Sequence, residues 1–187
     1  EPAAYLQTWN EMWERYGSDV EIVTILSSSQ LSPAVENARL AAAMGMVSVQ
    51  VIDSGTIGPG LGLLVQDAAR AARQGLNAAA VRHLVNNRIN HTYTAFCVRG
   101  LSYLQRAGQL DPAQATVGEM LGITSFMLLE NGSLVHQHKV HNTHQMIDLF
   151  HEFVAEFSAP QHISVLHEAP IFANEMFWVP PPCSVTL

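Results

Sequence analysis

The sequence has few cysteines and few basic side chains. Cys97 and Cys183 lie far apart and neither belongs to a Cys-x-x-Cys pair, which argues against a disulfide framework and favours a reducing, cytoplasmic location. Nine lysines and arginines are outnumbered by sixteen aspartates and glutamates, so the net charge is −7. Because no basic stripe is available to follow a phosphate backbone, we expect no nucleic-acid partner.

Long apolar runs are also missing. Glycine, serine, histidine or charged residues interrupt the apolar stretches well short of the roughly eighteen residues that a membrane-spanning helix needs, and we expect no signal peptide. Stable insertion into a membrane is therefore not expected. The hydrophobic content of 48% is nevertheless ample for a packed core in a chain of 187 residues.

What the sequence does contain is a strand, a hydroxyl-rich turn and a helix in direct succession. Residues 19–26 alternate β-branched and apolar side chains, which predicts a buried strand. The serine-rich turn that follows ends at Ser32 and Pro33. We predict Ser32 as the N-cap and Pro33 as the N1 residue, with the helix running from about residue 34 to residue 44. The simplest reading of such serines is that they cap the helix.

The next strand is predicted over residues 47–52 and is followed by Asp53 and Ser54. Strand, helix and strand at this spacing predict a parallel βαβ unit, whose strand ends lie at one edge of the sheet. Asp53 and Ser54 should therefore lie beside Ser28 and Ser29. Ligands collect at such an edge, and the free amides of a helix start favour an anion, with hydroxyls as neutral donors.

The second half of the chain changes character at Asn131-Gly132, the strongest local signal for a β-hairpin. It lies between predicted strands 123–130 and 133–140, and Thr143 is predicted to cap the helix that follows. We therefore predict an α/β protein with two lobes. Residues 1–90 form a parallel βαβ lobe, and residues 91–187 form a second lobe with the antiparallel hairpin. The tail from about residue 169 has no usable periodicity.

Five histidines crowd the hairpin and the helix after it: His136, His138, His141, His144 and His151. Their spacing matches no closed zinc site, so exposed histidines are favoured over a metal site. Gly58 and Gly60 lack the third glycine of a dinucleotide fingerprint, because position 63 is Leu63. We expect no metal and no cofactor.

A serine hydrolase remains an alternative. Ser28 or Ser29 would be its nucleophile and a distant histidine its base, although no Gly-x-Ser-x-Gly motif is present. A structural or interaction module without a ligand is a second alternative.

Five short motifs stand out, in chain order. They are Ser-Ser-Gln-Leu-Ser at 28–32 with Asn37-Ala38, Val-Ile-Asp-Ser at 51–54, Leu-Ser-Tyr-Leu-Gln-Arg-Ala-Gly-Gln-Leu at 101–110, Val-Gly-Glu-Met-Leu-Gly-Ile at 117–123, and Asn-Gly-Ser-Leu-Val-His-Gln-His-Lys-Val at 131–140. With these motifs in this order, the chain resembles the DegV family of fatty-acid-binding proteins over about residues 1–167.

The resemblance implies a DegV-like fold that holds one long-chain fatty acid between its lobes, and a role as a non-enzymatic acyl carrier for a fatty acid kinase. Ser29 corresponds to the carboxylate-binding serine of the family and Ser28 lies beside it, with Ser32 and Ser54 as further ligand-binding candidates. The fatty acid is then the ligand and not a cofactor.

The chain departs from the family pattern at several points. The family's Thr-Ser-Gln-Pro motif and its closing His-x-Gly-x-Gly segment are not found in this sequence. Relatives have arginines where this chain has Gln109 and His141. Because those arginines are thought to contact the kinase, the substitutions argue against a retained kinase partner.

Overall fold

A computed structural model of the chain describes residues 1–98, 100–106, 108, 110–166 and 184–186. The chain divides into two compact units. The first contains Glu1–Thr94 together with Asn131–Ser133, and the second contains Ala95–Glu130 together with Leu134–Leu187. The predicted mixed α/β architecture, with a parallel strand pair and an antiparallel hairpin, is confirmed.

The first unit is a two-stranded parallel sheet with helices on both faces. Its elements are α1 (Pro2–Tyr16), β1 (Ile22–Leu26), α2 (Ala34–Met44), β2 (Val49–Asp53), α3 (Gly58–Arg73) and α4 (Ala78–Ile89). The strands pair from Ile22 opposite Val49 to Leu26 opposite Asp53. This register brings the ends of both strands to the same edge.

Strand alternation divides the core of the first unit between the two sheet faces. On one face, Ile22 packs with Trp9 of α1 and with the small residues Ala38 and Ala41 of α2. On the other face, Ile52 packs against α3 and α4. The alanines let both helix layers lie close to the sheet, which fixes where each helix starts relative to the strand ends.

The second unit is a three-stranded sheet in the order β3-β4-β5 with helices around it. Its elements are β3 (Ala95–Val98), α5 (Ser102–Arg106), α6 (Pro112–Met120), β4 (Thr124–Glu130), β5 (Ser133–Val140), α7 (Thr143–Ala155), β6 (His162–Ser164) and β7 (Ser184–Thr186). Leu101, Leu104, Ala115 and Met127 form its core. Among the residues described, no helix is long and apolar enough to cross a membrane.

Two predicted N-caps are wrong by one residue, although α2 spans the predicted residues 34–44. Helix α7 is capped by Asn142, whose side chain accepts the Gln145 amide at 2.9 Å, and not by Thr143. Helix α2 has Pro33 and not Ser32 at its N-cap position, although the Ser32 hydroxyl still accepts the Ala34 amide at 3.2 Å. The amide of Ser32 donates to the Ser28 carbonyl, so Ser32 belongs to the preceding turn.

The N-cap of α6 gives a local test of the fold. The Asp111 side chain accepts the amides of Ala113 at 2.8 Å and Gln114 at 3.4 Å. Asp111→Ala should lower the free energy of unfolding by about 1 kcal/mol, whereas Asp111→Asn should retain most of it. Urea unfolding of both variants measures the difference, and equal losses would show that the charge and not the cap matters.

Candidate functional site

The turn after β1 and the turn after β2 are joined by backbone hydrogen bonds. The Ser54 amide donates to the Leu26 carbonyl, and the Ser28 amide donates to the Thr56 carbonyl, both at 3.0 Å. The predicted proximity of these two turns is therefore confirmed. Each turn leads directly into a helix, α2 or α3, so free amides and hydroxyls are concentrated at this edge of the first unit.

Ser28 is fully buried, and its hydroxyl has two partners. It donates to the Gly132 carbonyl at 2.6 Å and accepts the Gln30 amide at 3.2 Å. Gly132 belongs to the segment 131–133, which is part of the first unit although it lies more than a hundred residues later in the sequence. A hydroxyl has a single proton to donate, so the donor of Ser28 is used within the protein.

Ser54 is also buried and is used in the same way. Its hydroxyl donates to the Thr56 carbonyl at 3.2 Å and accepts the Thr56 amide at 3.3 Å. The Thr56 hydroxyl in turn lies 3.0 Å from that of Thr94. Together with Ser32, which accepts the Ala34 amide, these side chains hold the backbone of the two turns in place.

Ser29 differs from its neighbours because it is only half-buried and its partner is a carboxylate. Its amide donates to Asp53 Oδ1 at 3.2 Å, and its hydroxyl is near enough to the same carboxyl group to help lower the pKa of Asp53. The Gly55 amide donates to the same Oδ1 at 3.0 Å, which is an Asx turn. Asp53 thus ties the two turns together through one side chain.

The surroundings of Asp53 favour its charged form. Burial alone would raise its pKa, but the hydrogen bonds from the Ser29 hydroxyl, the Gly55 amide and the Ser29 amide, with the positive charge of Arg39, outweigh burial and hold the pKa below the ordinary 3.8. The site therefore contains a carboxylate at neutral pH. Sequence reasoning placed Asp53 at this edge but missed its role as the acceptor that orients Ser29.

Two further contacts were missed for different reasons. The Asp-Ser-Gly sequence after a strand is a recognisable Asx-turn signal, so the Asp53–Gly55 contact was within reach of sequence reasoning. The contact between Ser28 and Gly132 had no local signal, because it joins parts of the chain that are remote in sequence.

The first unit also has a cleft of about 570 Å³ along β1. Its walls are mostly apolar and include Val23, Ile25, Val65 and Val81, with Asp19 and Glu21 at one end. The Ser29 turn is not part of its lining. Glu21 is already engaged there, since its side chain accepts the Ala78 amide at the start of α4 at 2.9 Å.

The five histidines of the hairpin and the helix after it are exposed, as expected. His136 Nδ1 lies 2.7 Å from the hydroxyl of the buried Ser125. Burial, followed by the charges of Lys139 and His138, lowers the pKa of His136. Within the described part of the chain, no group of three or more histidine, cysteine or acidic side chains is arranged to hold a metal ion.

Comparison with known proteins gives consistent matches. A family model described as an uncharacterised protein of the DegV family matches residues 3–174. A DegV domain-containing protein of Streptomyces coelicolor is 31% identical over 170 residues, covering 90% of this chain and 60% of the relative.

Solved structures show the same fold at lower identity. A DegV lipid-binding protein from Thermotoga maritima matches with a TM-score of 0.75 at 20% identity, covering 88% of this chain and 57% of that one. A DegV-family protein from Thermus thermophilus, described as binding a fatty acid, matches with a TM-score of 0.72 at 22% identity, covering 88% of this chain and 58% of that one. The chain therefore spans about three fifths of the length of these relatives.

Because Ser28 and Gly132 are in close contact, a single methyl group added at Gly132 should lower the stability of the fold strongly. Gly132 has φ +80, and a Cβ there would lie 2.5 Å from the Ser28 hydroxyl oxygen. Gly75→Ala is the matched control, because φ at Gly75 is +88 and a Cβ there meets nothing within 4 Å. Gly75→Ala should cost about 1 kcal/mol of backbone strain, whereas Gly132→Ala should cost about 2 to 3 kcal/mol because the buried hydrogen bond must also shift. Equal losses in urea unfolding would contradict a close contact.

Asp53 predicts a component of acid sensitivity. The pKa of Asp53 is lower in the folded protein than the ordinary value of 3.8. Asp53 therefore stabilises the folded state at pH values above 3.8, and this stabilisation is lost as the pH falls through the folded-state pKa. Asp53→Asn should therefore destabilise the protein at pH 7 but make little difference near pH 2, provided that folded protein persists there. Urea unfolding from pH 7 downwards measures this, with Asp67→Asn at the surface ion pair with Arg70 as the control. A pH-independent loss on Asp53→Asn would contradict it.

Proposed function

Because the chain belongs to the DegV family, we propose that it binds a long-chain fatty acid whose carboxyl group hydrogen-bonds the Ser29 hydroxyl. The observation that carries the proposal is the half-buried Ser29 hydroxyl, which lies at a turn where the donors of Ser28 and Ser54 are used within the protein. Solved proteins of this fold that are described as binding lipid or fatty acid support the choice of ligand.

The four serines then divide into two roles. Ser29 contacts the ligand, whereas Ser28, Ser32 and Ser54 hold the turns that position Ser29. The hydroxyl orients the carboxyl group and supplies the smaller share of the affinity, about 1.5 to 3 kcal/mol. Burial of about fifteen methylenes is worth on the order of 12 kcal/mol before the costs of association and ordering are subtracted, so the acyl tail supplies the affinity. The position of the tail stays a prediction.

The proposal makes the protein a carrier and not an enzyme. The partners of the Ser28 and Ser29 hydroxyls are a carbonyl, an amide and a carboxylate, which suit hydrogen bonding more than nucleophilic attack assisted by a histidine. A fluorophosphonate probe should leave both serines unlabelled. Labelling of either one would favour the hydrolase instead.

Presentation of the fatty acid to a kinase stays a prediction, as does the cytoplasmic location. His141 is exposed in the second unit, and its amide donates to the Gln145 side chain at 3.0 Å. Gln109 and the tail from about residue 169 to 183 lie outside the described residues.

Ser29→Ala should weaken fatty-acid binding by about tenfold to a hundredfold, the usual value of a hydrogen bond to a charged group. The fold should persist because the Ser29 amide still donates to Asp53. Ser32→Ala is the matched control, since it removes a hydroxyl of the same turn that accepts the Ala34 amide. Loss of this hydrogen bond should cost about 1 kcal/mol of stability and leave the affinity nearly unchanged. Titration with a long-chain fatty acid and thermal unfolding of each variant separate the two effects.

Native mass spectrometry of the purified protein tests the ligand itself. A mass increment equal to a fatty acid is the expected result. Repeated absence of any lipid from folded protein, together with no binding of added fatty acid, would refute the proposed function.

A further inference from the structure

Asp53 brings a second carboxylate to the hydroxyl that the proposed function gives to a fatty acid. Oδ1 of Asp53 accepts the amides of Ser29 and Gly55 at 3.2 and 3.0 Å, and the nearby Ser29 hydroxyl helps to lower the pKa of Asp53. These contacts come from both turns, so the carboxylate is held next to Ser29 by the fold itself. A fatty acid at Ser29 would share this hydroxyl with Asp53.

One hydroxyl cannot donate to two carboxylates. Serine has a single O–H, and each ionised carboxylate can only accept. The neighbouring hydroxyls of Ser28 and Ser54 donate to the carbonyls of Gly132 and Thr56, which leaves Ser29 between the two acidic groups. Two carboxylates that share one site do not both remain ionised when the site is partly desolvated, and one proton is retained between them.

We infer that a bound fatty acid and Asp53 share one proton across the Ser29 hydroxyl, so that binding takes up a proton from solvent. This inference rests on the proposed function. The shared proton can be carried by either carboxyl group. A protonated fatty acid donates to Ser29 Oγ, which donates to the Asp53 carboxylate, or a protonated Asp53 donates to Ser29 Oγ, which donates to the fatty acid carboxylate. Asp53 is then a positioning residue that acts on the headgroup through Ser29.

Before they meet, both carboxyl groups are ionised. The pKa of Asp53 lies below 3.8, and a fatty acid carboxyl in water resembles that of glutamate, with a pKa of about 4.3. The charged side chain that acts on Asp53 is Arg39 of α2, and the turn residues Ser29 and Gly55 contribute uncharged donors. Arg39 is exposed and has the weakest of these effects, so solvent screens the positive charge that would otherwise replace the shared proton.

Isothermal titration calorimetry at pH 7 in buffers of different ionisation enthalpy counts the protons directly. Binding of tetradecanoic acid should take up about one proton from solvent per molecule bound. The Kd for tetradecanoic acid should rise by up to tenfold per pH unit from pH 6 upwards. Tetradecanol has the same tail length but carries its own proton, so its binding should take up none and should not depend on pH. If neither compound binds, the proposed function fails. If both bind and the acid takes up no proton, only the shared proton is refuted and Arg39 is the balancing charge.

Asp53→Asn is the decisive variant. The asparagine oxygen still accepts the Ser29 and Gly55 amides, whereas the neutral side chain frees the Ser29 hydroxyl to donate to the fatty acid. Proton uptake should fall to near zero, and the affinity for tetradecanoic acid at pH 8 should rise by about tenfold or more. Asp67→Asn, which removes the same charge at the ion pair with Arg70 and Arg88, should change neither quantity. Unchanged proton uptake in Asp53→Asn would refute the inference, and the melting temperature of each variant verifies that it is folded.

Discussion

The buried hydrogen bond from Ser28 to the Gly132 carbonyl is the constraint on which the candidate site depends. At 2.6 Å it joins the turn after β1 to a segment that is remote in sequence, and it uses the only proton that the Ser28 hydroxyl can donate. A buried hydroxyl without a partner would be costly, so the two groups fix each other. Because Ser28 is held in this way, the half-buried Ser29 beside it is the hydroxyl that we propose as the ligand contact.

Local signals explain how much of the fold could be predicted. Periodicity and turn signals act within a few residues, so the helix over residues 34–44 and the hairpin around Asn131-Gly132 followed from the sequence. The ends of the elements were less accurate, since β1 begins at Ile22 and not at Asp19, and Asn142 displaced Thr143 as a cap. Adjacent caps compete, and the sequence does not say which side chain reaches the free amide.

The site was predictable in position but not in its hydrogen bonds. Parallel pairing of β1 and β2 brings their ends together whatever the loop sequence is, so the edge containing Ser29 and Asp53 could be identified. Which hydroxyl is available to a ligand depends on hydrogen-bond partners such as Gly132. Gly132 is remote in sequence from Ser28, so no local signal predicts their contact. Counting serines therefore overestimates the donors that are available for a ligand, because the hydroxyls of Ser28 and Ser54 already donate to carbonyl oxygens.

A site without a strong cation has consequences for selectivity. In the proposed complex, two carboxyl groups hydrogen-bonded to one hydroxyl lie about 5 Å apart, and if both were ionised they would repel by about 3 kcal/mol at an effective dielectric constant of about 20. Burial of four methylenes, at about 0.8 kcal/mol each, is needed to offset that repulsion or the similar cost of taking up a proton at neutral pH. In the proposed complex, short acids would lack this surplus and long acids would have it. The carboxylate of Asp53 would thus raise the chain length that binding requires, although Asp53 acts only at the headgroup.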